Sequence, residues 1–236
     1  MKLNMTSMKQ ALISQLQHND VIANNLANIN TRGYKKDLIF FEMLKTDDEN
    51  TKARQSTDFS QGALSETNNP LDLAISGRGF FTVQTDEGLA YTRDGHFKLD
   101  GDGVLRTQQG HAVLGEGGEI VLVDDNLKPE QITITRNGEI YLGDMYIDRL
   151  ALKDFEDYSK LQKRGENMFV VDDSVQPIPM EEAEVHQGFL EEANINPAEE
   201  MIQLIEVQRQ FESIQRMVRT LDETFHKAAA EVGKYF

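Results

Sequence analysis

Apolar residues in the first thirty positions step by three or four: Met1, Met5, Met8, Leu12 and Leu16, then Val21, Ile22, Leu26 and Ile29. This spacing predicts an amphipathic helix, uninterrupted by Gly or Pro before Gly33. Asn24, Asn25, Asn28 and Asn30 crowd its end and lead into Thr31-Arg32-Gly33-Tyr34. Asn and Gly tolerate left-handed backbone, and Asn competes for backbone hydrogen bonds, so the cluster predicts a helix stop followed by a turn. The other end of the chain is more regular. Leu204, Phe211, Val218, Phe225 and Val232 recur every seven residues, with Val207, Ile214, Leu221 and Ala228 three residues after the first four. That is an a/d heptad, the pattern of a coiled-coil seam. Pro197 at the first helical position, Asn196 as N-cap, and Glu199 and Glu200 at the positive end of the dipole place its start.

Between these helices the texture changes. Short strand-like runs (LDLAI 71–75, FFTVQ 80–84, FKL 97–99, EIVLV 119–123, ITIT 132–135, EIYL 139–142, MFVV 168–171) alternate with turn signals such as Asp94-Gly95, Gly117-Gly118 and Asn137-Gly138. They predict a compact, mostly antiparallel β domain over 67–185. Residues 46–60 are polar and aperiodic and read as a loop or linker. The expected fold class is α+β. Terminal helices over 1–33 and 197–236 form a coiled-coil-like pair, 34–66 and 186–196 are extended linkers, and the β domain lies between.

Charge narrows the function. The net charge is −16. Residues 1–45 carry +3 and 188–236 carry −4, which leaves −15 on the middle. Such a surface repels phosphate backbones and anionic lipid, so neither nucleic acid nor membrane is an expected partner. No apolar run is long enough to span a membrane, and the N-terminus lacks the unbroken apolar core of a secretory signal. Cysteine is absent, which excludes disulfides and thiolate metal sites.

Sites of chemistry fail on their spacing. Asp100-x-Asp102 resembles the start of a calcium loop, but Val104 and His111 stand at positions five and twelve. Gly77-x-Gly79 is followed by FFTVQ, where a phosphate loop needs a helix. His18, His96, His111, His186 and His226 share no metal-ligand spacing, and no nucleophile elbow occurs. No catalytic residue, metal site or cofactor is expected. What remains is a surface for assembly. Its expected seam is Met5, Met8, Leu12, Leu26 and Ile29 with Leu204, Val207, Phe211, Ile214, Val218, Leu221 and Phe225. Two long helices sharing one narrow seam gain little over the entropy of ordering them, so burial against neighbouring chains is expected to complete them.

The run NNLANINTRGYKK (24–36) resembles the signature with which flagellar axial proteins (rod, hook and hook-associated subunits) end their N-terminal helix. PLDLAISGRGFFTV (70–83), YTRDGHFKLDGDGVL (91–105) and GFLEEANINPAEEMIQLIEVQRQFE (188–212) are similar to the rod branch, in the same order. The resemblance implies a structural subunit, not an enzyme, exported unfolded by the flagellar type III apparatus. It would join a helical tube of paired terminal helices that transmits torque. Self, other rod and hook axial subunits and the export apparatus are the implied partners, and surrounding basal-body rings are left open. The short interval between helix and β domain, with HAVLGEGGEI (111–120), is more like the proximal than the distal rod subunit. The motif residues Asn24, Asn25, Asn28, Asn30, Gly33 and Tyr34 would form the turn, with Tyr34, Phe40 and Phe41 as aromatic anchors. A reading from another class is an acidic β binding module on a coiled-coil stalk, which would use one continuous heptad.

Overall fold

The computed structural model describes residues 2–43, 51–122, 131–172, 175–180 and 184–232. They fall into two compact bodies. One takes in Met1–Ala27, Asp37–Thr57 and Asn196–Phe236, the other Asn28–Lys36 and Asp58–Ile195.

The first body holds helix α1 (Lys2–Ala27), the hairpin of β1 (Asp37–Met43) and β2 (Thr51–Thr57), and helix α2 (Pro197–Val232). The helices run antiparallel. Gln15 Nε2 donates to Gln210 Oε1 at 2.9 Å, and ten residues later Asn25 Nδ2 donates to Glu200 Oε2 at 3.3 Å. Asn196 caps α2, its Oδ1 accepting from the Ala198 amide at 3.2 Å. The expected stop falls late in the motif. α1 ends at Ala27, so Asn24 and Asn25 are helical, and Asn28 to Asn30 form the turn.

The polar segment 46–60, expected as a loop or extended linker, contains β2, which pairs with β1 from Asp37↔Thr57 to Met43↔Thr51. Polar composition alone does not separate a paired strand of this kind from a loop. Phe40, expected as an anchor, is 56% exposed. The side chains of Met5, Met8 and Phe41 lie outside the described residues.

The described strand pairs of the second body are all antiparallel. Its first half contains β3 (Leu64–Glu66), β4 (Leu73–Ser76), β5 (Phe80–Thr85), β6 (Gly88–Thr92), β7 (Phe97–Leu99), β8 (Leu105–Thr107), β9 (Ala112–Gly115) and β10 (Gly118–Glu119). Its second half contains β11 (Ile132–Ile134), β12 (Glu139–Leu142), β13 (Met145–Arg149), β14 (Leu152–Asp154), β15 (Gln162–Lys163), β16 (Met168–Val170), β17 (Ile178–Pro179), β18 (Glu184–Gln187) and β19 (Phe189–Glu191). The main sheet runs β15-β16-β6-β5-β9-β8-β7, with β14 added beside β5 and β17 beside β14, and β11-β12-β13 form a separate meander. Of the described residues of the run 119–123, Glu119 lies in a strand and Val121 makes an isolated bridge to Val104. Residues 34–66 and 186–196, expected as linkers, hold paired strands: β19 pairs with β3, and β18 with β4.

Alternation along these strands places Leu73, Ile75, Phe81, Val83, Val113 and Ile140 in one core. The opposite side of β5 and β6 holds an aromatic core of Phe80, Tyr91, Phe155 and Phe169, with Phe59 and Tyr158 against it. Phe81 and Phe80, adjacent in sequence, therefore serve different cores.

Candidate assembly interface

In the helical body, burial along α2 follows the heptad. Among its described side chains, Glu200, Leu204, Val207, Phe211, Ile214, Val218, Leu221 and Phe225 are shielded, and the others are exposed. Glu200 stands seven residues before Val207, so a carboxylate occupies a seam position, and it is buried. α1 offers a different surface. Leu12 and Leu26 are half-buried, Ile22 is buried, and Leu16 is exposed, while Ile29, expected on the same stripe, lies past the helix end in the turn and is half-buried. The shielded side from Gln15 through His18 and Ile22 to Asn25 is largely polar. Burial lowers the pKa of His18, with Glu200 opposing the shift.

Asn25 explains part of the Asn-rich motif. Its amide is 2% exposed and pairs with the backbone of Asp37 as a strand would: Nδ2 donates to Asp37 O and Oδ1 accepts from Asp37 N, both at 2.9 Å. Nδ2 also reaches Glu200. One side chain thus joins the end of α1, the start of β1 and the first turn of α2. Asn24 and Asn30 are exposed, and Asn28 accepts from the Thr31 hydroxyl at 3.2 Å.

In the β body, the rest of the motif docks on β19. Gly33 has φ +65°, and its amide donates to Glu191 O at 2.8 Å. A Cβ there would lie 2.4 Å from Asp94 N and 2.5 Å from the Arg93 carbonyl carbon, so this position requires glycine for space as well as for backbone angle. Tyr34 is buried, with Lys163 Nζ 4.3 Å from its ring centroid. Lys35 turns inward, and its Nζ donates to Glu191 Oε1 at 2.5 Å and to Ser60 O at 2.7 Å. Glu191 also accepts from Gly62 N at 2.9 Å and from Arg93 Nη1 at 3.2 Å. The three side chains are 1–2% exposed. Two cations therefore surround one carboxylate, and burial lowers the Lys35 pKa against the opposing pull of Glu191.

Sequence reasoning placed neither Lys35 nor Glu191 in a site. Each stands beside a like-charged neighbour, Lys36 or Glu192, and charge pairs of that kind read as solvated surface. The rejected candidates are turns. The Asp100 carboxylate accepts from the amides of Asp102 and Val104 and from Arg106, which together hold its pKa down, the Arg106 bond foremost. Gly77 and Gly79 have positive φ in the turn before β5.

Three family models match the chain in order. The flagella basal body rod protein model matches residues 8–35, the flagellar hook protein FlgE/F/G D1 domain matches 74–142, and the flagellar basal body rod FlgEFG protein C-terminal model matches 186–231. Flagellar basal-body rod protein FlgF of Caulobacter vibrioides is 36% identical over 226 residues, covering 91% of either chain. This chain belongs to the flagellar basal-body rod protein family. FlgF of Mesorhizobium japonicum is 31% identical over 221 residues, again covering 91% of each chain. Flagellar basal-body rod protein FlgG of Buchnera aphidicola is 31% identical over 256 residues, covering 93% of this chain and 95% of that one.

Membership makes the chain a structural subunit of the flagellar basal body, assembling with other axial subunits. Among the described residues, no helix is long and apolar enough to cross a membrane. In this rod protein the buried pair Lys35 and Glu191 joins the first matched stretch to the last.

Proposed function

We propose that the chain is a proximal rod subunit whose terminal helices polymerise with those of its neighbours into the torque-bearing axis of the flagellum. The observation that carries this reading is the apolar surface left on the helical body. Met201, Ile202, Ile205 and Met217 of α2 and Ile13 and Leu16 of α1 are each 45–58% exposed. The heptad seam Leu204 to Phe225 is shielded within the chain's own pair, so these outward residues supply the contacts between subunits. Met5 and Met8 join them in the proposal from their place on α1.

Aligned length favours the proximal subunit. The FlgG alignment runs to 256 positions over 93% of this chain, against 226 positions over 91% for C. vibrioides FlgF, so FlgG carries the longer insertions relative to this chain. FlgF is the proximal and FlgG the distal rod subunit of the family. Delivery by the flagellar export apparatus and contact with surrounding rings belong to the same proposal. The family is structural, and the proposed role contains no catalytic step. Electron microscopy of basal bodies carrying a tagged copy tests the reading. The tag is expected in the rod segment nearest the cytoplasmic membrane, and a tag in the distal rod or hook overturns the proximal assignment.

A further inference from the structure

The turn Asn28–Lys36 is gripped from its outer side by one loop of the β body. Asn167 Nδ2 donates to Arg32 O at 2.9 Å, and Lys163 Nζ donates to Lys35 O at 2.5 Å while lying over the Tyr34 ring. Two carbonyls of the turn are thereby met by side chains only four positions apart.

The loop adopts an uncommon shape to do this. Gly165, Glu166 and Asn167 have φ of +51°, +48° and +56°, a run of left-handed residues of which only the first is glycine. Glu166 has no local reason to favour that conformation. The loop is held by Met168 N donating to Gly165 O at 2.9 Å, by Thr92 Oγ1 donating to Asn167 O at 3.0 Å, and by His111 Nε2 3.0 Å from Glu166 Oε2. Between loop and turn lies a recess of about 200 Å³ lined by Asn28, Tyr34, Lys163, Asn167 and Phe169. Close apolar packing therefore does not fix the loop against the turn. The polar bridges do.

We infer that Lys163 and Asn167 are positioning residues, and that the left-handed loop Gly165–Asn167 aims them to lock the motif turn in the geometry that rod assembly requires. Glu191 holds the turn from within and this loop holds it from outside. The assembly part rests on the rod reading, whereas the locking part does not.

Hydrogen exchange on the full chain tests the lock. Lys163→Met and Asn167→Gly should each speed exchange of the Gly33 and Lys36 amides at least tenfold and leave β5 unchanged. Asn167→Gly keeps the left-handed backbone and removes only the amide, so it separates the side chain from the strain. Lys163→Arg should restore wild-type protection, and Glu166→Gly should leave the turn as protected as before. Wild-type exchange in Asn167→Gly, or equal acceleration in β5 and the turn, overturns the lock. Complete rods in a strain whose turn exchanges tenfold faster overturn the assembly part alone.

Discussion

Lys35 and Glu191 stand 156 residues apart in sequence and 2.5 Å apart in space, each 1% exposed. Removing one member of a buried ion pair costs about 3–5 kcal/mol, because the other charge is left uncompensated. The two ends of this pair are not equivalent. Glu191→Gln removes the carboxylate that both Lys35 and Arg93 pair with and leaves Lys35 the weaker pull of Asp58, whereas Lys35→Met leaves Glu191 with Arg93 and the Gly62 amide. Urea unfolding should show the Glu191 variant as clearly the less stable, with Lys35→Met in Glu191→Gln costing less than it does alone. Equal losses from the two single variants would contradict the two-cation geometry.

Gly33 separates two reasons for glycine. Backbone angle alone would cost about 1 kcal/mol for Ala, less for Asn and more for Val. The backbone of Arg93 and Asp94 fills the place of a Cβ, so Gly33→Ala, Gly33→Asn and Gly33→Val should all impair rod assembly, with Asn giving no rescue. Counting completed hook-basal bodies in the three strains decides between angle and space, and full assembly by Gly33→Asn would show that the angle alone matters.

Substitutions on α2 should divide by face. Leu221→Asp, in the shielded seam, should reduce helix content of the isolated monomer and abolish swimming, since an unpaired charge buried there costs several kcal/mol. Ile205→Asp, on the exposed face, should leave the circular dichroism of the monomer unchanged and still block assembly. Glu206→Lys, off both surfaces, should swim nearly normally. A strain with Ile205→Asp that swims at wild-type speed would remove the outer face from the proposed contacts.

The two faces also mark what was legible in the sequence. α2 could be read in register because seven of its shielded positions are apolar. The eighth, Glu200, keeps the period and breaks the alphabet, as do Gln15, His18 and Asn25 on α1. Their partners lie on the other helix, nearly two hundred residues away, and no local pattern announces them. The β runs richest in Val, Ile and Phe were visible, but β8 (LRT), β14 (LKD) and β2 were not. Pairing with neighbours makes these strands, not their own composition. The same holds for the site: the turn was readable from Asn and Gly, whereas the charges that anchor it were not.

Asp94 supplies a pH test. Burial is the main cause raising its pKa above the ordinary 3.8, with Asp72 adding to it and His96 and Arg32 opposing. A carboxyl with a raised folded pKa binds its proton more tightly in the native state, so ionised Asp94 disfavours folding above that pKa. Asp94→Asn can still accept from the His96 amide through its side-chain oxygen. It should therefore raise the thermal midpoint at pH 7 by a few degrees, with the gain shrinking as pH falls and gone below 3.8. A constant gain across pH 3 to 7 would exclude ionisation as the cause.

The pairing of β18 with β4 and of β19 with β3 has a consequence for the order in which the chain can fold. Leu64–Ser76 needs partners from Glu184–Glu191, which a ribosome delivers more than a hundred residues later. Until then Lys35 and Arg93 have no Glu191 to meet, and burying them would cost several kcal/mol. A growing chain must therefore leave its motif turn and the strands beside it open to solvent through most of its synthesis. Closure waits for nearly the last fifth of the polypeptide, and the subunit stays threadable for as long as those final strands are kept away.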